Sequence, residues 1–246
     1  MRWTGLSAGC ISTEADVWLY DDTLYVGHHE SSLTEERTLE SLYINPILEV
    51  LRRQNPESRF VDGKTKHGVF DTNPSQTLYF FIDMKTDGAQ TWKAVYKALE
   101  PLRQAGYLTT VSDNKTMHTG PVTVIGTGNT PANLVAESKS RDIFLDGPLH
   151  ALEGSDLNGK IAPIASTSFR WTIGDVSNND KKPLTEEQFS RLRKHMREAK
   201  ERGIGVRYWD VPSWPVRKRN AIWRVLLDEG VALLNTDDLE AVKKYF

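Results

Sequence analysis

Short apolar runs rich in β-branched and aromatic residues alternate along the chain with longer stretches whose apolar residues recur every three to four positions. The first pattern predicts strands at 10–19, 78–85, 122–126, 143–146, 161–165, 205–210 and 231–235. The second predicts helices. The clearest covers 186–202: Thr185 and Gln188 have capping-box spacing, Phe189, Leu192, Met196 and Ala199 form one apolar stripe, and Gly203 supplies a stop. Another covers 91–104, with Trp92, Val95, Leu99 and Leu102 on one face, and a third carries Trp223, Leu226 and Leu227 and ends at Gly230. Strands separated by helices predict an α/β fold around a parallel sheet. The polar, turn-rich segments 55–76 and 174–183 predict loops, and neither is biased enough for a linker, so a single domain over 1–246 is expected.

The length of 246 residues is close to the roughly 250 of one (β/α)₈ barrel. Lys and Arg number 31 against 33 Asp and Glu, so no basic bias points to nucleic acid as a partner. Cys10 is the one cysteine, which excludes an intrachain disulfide. The segment Met1–Leu6 lacks the apolar run of a signal peptide, and no stretch approaches the ~20 apolar residues of a membrane span. These features predict a cytoplasmic protein with no transmembrane segment.

Candidate chemistry lies at two strands and a hairpin. Glu14 and Asp16 stand two apart, so in a strand Ser12, Glu14 and Asp16 share one face while Ala15 and Val17 share the other. Two carboxylates on an inner face repel unless a cation sits between them, and an oxygen-only pair suits Mg²⁺ or Ca²⁺ better than zinc. An edge strand with a solvated acidic face would show the same spacing. After a turn at Asp21-Asp22, the segment 24–29 predicts a hairpin extension ending in His28 and His29. Alternation lets only one of the two point into a site, and the expectation is His28, as a proton-transfer group; a pair of solvent-exposed loop histidines is the plainer alternative. Asp83 and Lys85 share a face at the end of a strongly apolar strand, where Asp83 suits a metal and Lys85 a phosphate oxygen; a structural ion pair is the plainer alternative. Gly126-Thr-Gly-Asn-Thr-Pro131 lacks the residues of a phosphate loop and predicts a strand-to-helix turn. Trp209, at a strand end, suits either a pocket wall or the core.

Together, Glu14-x-Asp16, His28 after a hairpin, Asp83-x-Lys85, Trp209-Asp-Val-Pro and the Gly230–Asp237 segment resemble the phospholipase C-like phosphodiesterase superfamily. The Asp-x-Lys-Thr form at Asp83 is nearer its sphingomyelinase D-like branch than the glycerophosphodiester phosphodiesterases, which usually show Glu-x-Lys. The wording of the whole chain is most similar to the fungal family called altered inheritance of mitochondria protein 6. The resemblance implies a TIM-type barrel in which Glu14, Asp16 and Asp83 are Mg²⁺ ligands (with Ca²⁺ as an alternative), His28 is one of two catalytic histidines, and Lys85 and Trp209 contact substrate. It implies hydrolase or lyase chemistry on a phosphodiester of (lyso)phospholipid type.

The chain departs from the family pattern at the other histidine, which lies on the first strand, before the position equivalent to Gly9; none of the eight residues before Gly9 is His. His29 also stands where an acidic residue often follows the catalytic His. With seven strands read against the eight of a barrel, the expectation is a barrel lacking its first strand. Bare edges would then invite self-association. The second functional reading is a homologue that keeps the metal cradle and binds a ligand without turnover.

Overall fold

The computed structural model describes residues 2–60, 65–177, 179 and 181–245. The predicted loops 55–76 and 174–183 therefore lie partly outside the described residues. The chain packs as two compact units, Met1–Leu145 and Asp146–Phe246.

In the first unit, helix α1 (Arg2–Ser7) leads through a turn at Gly9 into strand β1 (Ser12–Tyr20). A two-residue turn joins β1 to the antiparallel strand β2 (Thr23–Val26). Both turn residues, Asp21 and Asp22, have positive φ (46 and 62°), the left-handed geometry that matches hairpin twist and that Asp tolerates better than most residues. Helix α2 (Asn45–Gln54) follows, then strand β3 (Leu78–Met84) and helices α3 (Gly88–Ala98) and α4 (Glu100–Gln104). The hairpin β4 (Thr110–Ser112) and β5 (Thr116–His118) precedes strand β6 (Val122–Gly128), helix α5 (Ala132–Glu137) and the start of strand β7 (Ile143–Pro148). The strand order is β2-β1-β3-β6-β7, parallel except for β2.

Register sorts the side chains of this sheet. Ala15 lies beside Ile82 and Val17 beside Met84, and all four are buried against the helix layer. Leu48, Leu51, Val95 and Leu99 close over them, each such side chain worth roughly 1.5–3 kcal/mol in burial. The opposite face carries Glu14 beside Phe81 and Asp16 beside Asp83. The outer edge of β1, expected to be bare, is covered over its second half: β2 pairs with Val17 to Tyr20, and Gly27 N–H donates to Asp16 O at 3.1 Å.

In the second unit, residues of β7 from Asp146 pair with strand β8 (Ile164–Ser168). After it come helices α6 (Phe169–Thr172) and α7 (Glu186–Glu201), strand β9 (Gly205–Trp209), helix α8 (Val216–Asp228), strand β10 (Leu233–Leu234) and helix α9 (Leu239–Tyr245). The order β7-β8-β9-β10 is parallel throughout. Phe169, Leu192, Tyr208, Trp223 and Leu226 are fully buried and centre this unit's core.

Two of the predicted elements differ in the structure. The 91–104 helix starts earlier, at Gly88, because Asp87 caps it by accepting from Gln90 N–H. It divides at Leu99 because Pro101 has no N–H to continue an i→i−4 ladder and instead sits at the start of α4. Strand β8 lies three residues beyond the predicted 161–165, its last residues being Ser166, Thr167 and Ser168. The predicted strand stops short of these three hydroxyl-bearing residues, yet all three are buried.

Candidate metal centre and active site

Glu14 and Asp16 reach the same face of β1 because they are two apart, and Asp83 joins them because β3 runs parallel in register, Asp16 opposite Asp83. One carboxylate oxygen from each of the three lies within 4.8 Å of the others. The group is close enough for all three oxygens to turn toward one Mg²⁺ or Ca²⁺. Its all-oxygen chemistry fits these hard cations. Asp16 and Asp83 keep only 20% and 17% of their side-chain surface, so their charge requires a partner.

Lys85 is one such partner. Its Nζ stands 3.0 Å from Asp16 Oδ1 and also donates to Asp83 Oδ2. Burial pushes the Asp83 carboxyl above its usual range, although the Lys85 hydrogen bond and charge pull it down. Burial by itself would lower the Lys85 ammonium, but its hydrogen bonds to Asp83 and Asp16 outweigh that and leave it raised.

His28 is the other partner, its Nδ1 lying 3.2 Å from Asp16 Oδ2. The contact was expected from strand alternation, but alternation is not its cause. Gly27 N–H bonds Asp16 O, so a continued strand would have placed His29, not His28, beyond Asp16 on that face. The strand instead ends at Val26, and the chain turns through Gly27, where a Cβ would meet Ser32 Oγ at 2.5 Å and Leu33 Cδ2 at 3.0 Å. That turn swings His28 onto Asp16. His29 stays exposed, its ring 4.5 Å from that of His28 and edge-on to it.

Asn129, just after β6, holds the backbone of the Asp83–Lys85 segment. Asn129 N–H donates to Met84 O at 2.9 Å, and Asn129 Nδ2 reaches Lys85 O and Thr86 O at 3.3 and 3.1 Å. Gly128, at φ 63°, leaves the room in which Asp83 sits: a Cβ there would stand 2.0 Å from Asp83 Oδ1. Thr86 Oγ1 accepts from Leu19 N–H at 3.0 Å and so ties the end of β1 to the same loop. Tyr43 Oη donates to Glu14 O at 2.8 Å from the other side. Sequence reasoning read 126–131 only as a strand-to-helix turn and missed Gly128, Asn129 and Tyr43. The one signal was the paired glycines, Gly126 and Gly128, at a strand end.

The structure thus brings together Glu14, Asp16, His28, Asp83 and Lys85. Trp209 belongs to the second unit, where it ends β9 in register with Ser168 and is 46% exposed. Asp210 beside it accepts from Ser168 Oγ at 2.9 Å.

Among known proteins, residues 2–146 match the family described as AIM6-like phosphodiesterase domain, and all five clustered residues fall inside that segment. The chain is 56% identical over 241 residues to the altered inheritance of mitochondria protein 6 homolog of Arthroderma benhamiae, covering 98% of this chain and 76% of that protein. It is 35% identical over 253 residues to the altered inheritance of mitochondria protein 6 of Eremothecium gossypii, covering 98% of this chain and 64% of that one. A crystal structure of a glycerophosphodiester phosphodiesterase from Parabacteroides distasonis aligns with a TM-score of 0.49 at 11% identity, over 99% of this chain and 85% of that chain.

Proposed function

Since this chain belongs to the AIM6-like phosphodiesterase domain family, we propose that it cleaves a phosphodiester of the glycerophospholipid or lysophospholipid type with the help of a divalent cation. The observation that carries the reading is the convergence of the Glu14, Asp16 and Asp83 carboxylates with His28 and Lys85 bonded to them. Those carboxylates would hold Mg²⁺, or Ca²⁺ in its place, which supplies charge neutralisation at the nonbridging oxygens of the phosphodiester.

The chain's own residues do the rest. Asp16 on Nδ1 keeps a proton at that atom and fixes the ring, so Nε2 is the His28 atom that takes or gives a proton at the scissile oxygen. The His28 side chain is 76% exposed, which leaves it accessible to substrate. Lys85 adds a positive charge beside the carboxylates, suited to a phosphate oxygen. Phosphorus–oxygen cleavage leaves an alkoxide-like group that needs a proton, and His28 is the group placed to supply it.

One observation favours the second reading, a ligand-binding homologue without turnover. Among the described residues, His28 is the one histidine with a hydrogen bond to the carboxylate group, whereas paired proton transfer calls for two. Release of p-nitrophenolate from bis(p-nitrophenyl) phosphate separates the two. The proposal expects turnover that EDTA abolishes and that falls ~10²–10⁴-fold in His28→Ala. Mg²⁺ binding without turnover would leave the ligand-binding reading, and turnover indifferent to EDTA would reject both.

A further inference from the structure

We propose that Lys85 is a resident counter-ion that must leave the carboxylates when a divalent cation binds, so that cation binding and release of the Lys85 ammonium are one event. The inference rests on the metal-site reading above and deepens it.

Both oxygens of Asp16 are engaged, Oδ1 by Lys85 Nζ at 3.0 Å and Oδ2 by His28 Nδ1 at 3.2 Å. Asp83 gives Oδ2 to the same ammonium, while its Oδ1 packs against Gly128, where a Cβ would stand only 2.0 Å away. Lys85 thus bridges one oxygen of Asp16 and one of Asp83. A divalent ion drawn to both carboxylates meets the ammonium at those atoms, and two cations on one oxygen repel strongly in so poorly hydrated a place.

The ammonium is the partner able to move. It is a compact charge on a flexible four-carbon stem. The Lys85 backbone is held by Val17 O, which accepts from its N–H at 2.9 Å, and by Asn129 Nδ2 on its carbonyl. Release is therefore a side-chain swing with the main chain fixed. The freed ammonium stays tethered beside the carboxylates and is re-aimed from them toward an anionic group. One side chain would serve both purposes in turn, which orders the events as cation first and phosphate second.

Limiting acetylation of the native protein, mapped by peptide mass spectrometry, reads the state of the Lys85 amine directly, with exposed Lys93 as internal reference. Labelling of Lys85 relative to Lys93 is expected to rise several-fold on adding Mg²⁺ or Ca²⁺, and Asp16→Asn should blunt that rise. In calorimetry, Lys85→Met should bind the ion roughly 10-fold or more tightly, because a charge-assisted competitor is gone. If wild type binds the ion while Lys85 labelling stays flat or falls, the displacement is overturned and the metal site stands. If neither wild type nor Lys85→Met binds a divalent ion, the metal reading fails and this inference with it.

Discussion

Asp16 joins the two halves of the site, with His28 on one oxygen and Lys85 on the other, and its backbone carbonyl receives the Gly27 N–H. This sharing makes the two histidines unequal. At saturating Mg²⁺, His28→Ala is expected to lose activity ~10²-fold or more, the usual scale of a proton-transfer group, while His29→Ala stays near wild type. Equal losses on bis(p-nitrophenyl) phosphate would reverse the assignment. Gly128 is the complementary case, since it acts by having no side chain. Gly128→Ala puts a methyl group where Asp83 Oδ1 sits and forces φ 63° on an L-residue. The variant is expected to be about 1–2 kcal/mol less stable in urea titration. It should also bind Mg²⁺ more weakly; unchanged affinity would mean that Asp83 is no ligand. Residues set by local alternation were legible in the sequence, as Glu14-x-Asp16 and Asp83-x-Lys85 attest. The identity of the inward histidine was reached on the wrong ground, because alternation fails one residue past a strand end. Gly128 and Asn129 were missed because their effect runs through contacts more than 40 positions away in the chain, and the paired glycines alone do not say what they leave room for.

At the scale of elements, α7 was read almost to its ends because local signals agreed. Thr185 accepts from Gln188 N–H, the Gln188 side chain bonds back to Thr185 N–H, and Leu192 and Ala199 of the predicted stripe are buried. Thr185→Ala is expected to cost about 1 kcal/mol, read as a lower urea midpoint with an unchanged slope. No shift in midpoint would show that tertiary packing holds the helix without its cap. Where tertiary contacts decide, sequence reading failed. Two of the three hydroxyls that end β8 are hydrogen-bonded, Ser168 Oγ to Asp210 and Thr167 Oγ1 3.4 Å from His150 Nδ1, while Ser166 Oγ is buried without a hydrogen bond among the described residues. The β4–β5 hairpin was missed because its turn, Asp113-Asn114, reaches positive φ without the glycine that usually marks it. The α/β order itself was legible, since helix and strand periods alternate over most of the chain.

At the scale of the whole molecule, no helix among the described residues is long and apolar enough to cross a membrane. Stability should depend on pH through the second unit's core. His195 is 7% exposed and its Nδ1 lies 2.9 Å from Tyr208 Oη, and burial lowers its pKa from the ordinary 6.5. Burial also raises the Tyr208 phenol, so both partners stay neutral in the folded core. The unfolded chain binds a proton at His195 more readily than the folded one. Its contribution to stability is therefore full above about pH 6.5 and is lost as pH falls through that value toward the depressed folded pKa. Urea midpoints should drop as pH falls below about 6.5, and His195→Gln should flatten that slope. A slope that persists in the variant would assign the effect to other groups. The central claim is the proposal that three carboxylates on two parallel strands of the first unit hold a cation for phosphodiester chemistry. Calorimetric titration of Mg²⁺ into wild type and Asp16→Asn tests it most directly. The account predicts a single saturable ion in the wild type and affinity weakened roughly tenfold or more in the variant; absent binding, or equal affinity in both proteins, would contradict it.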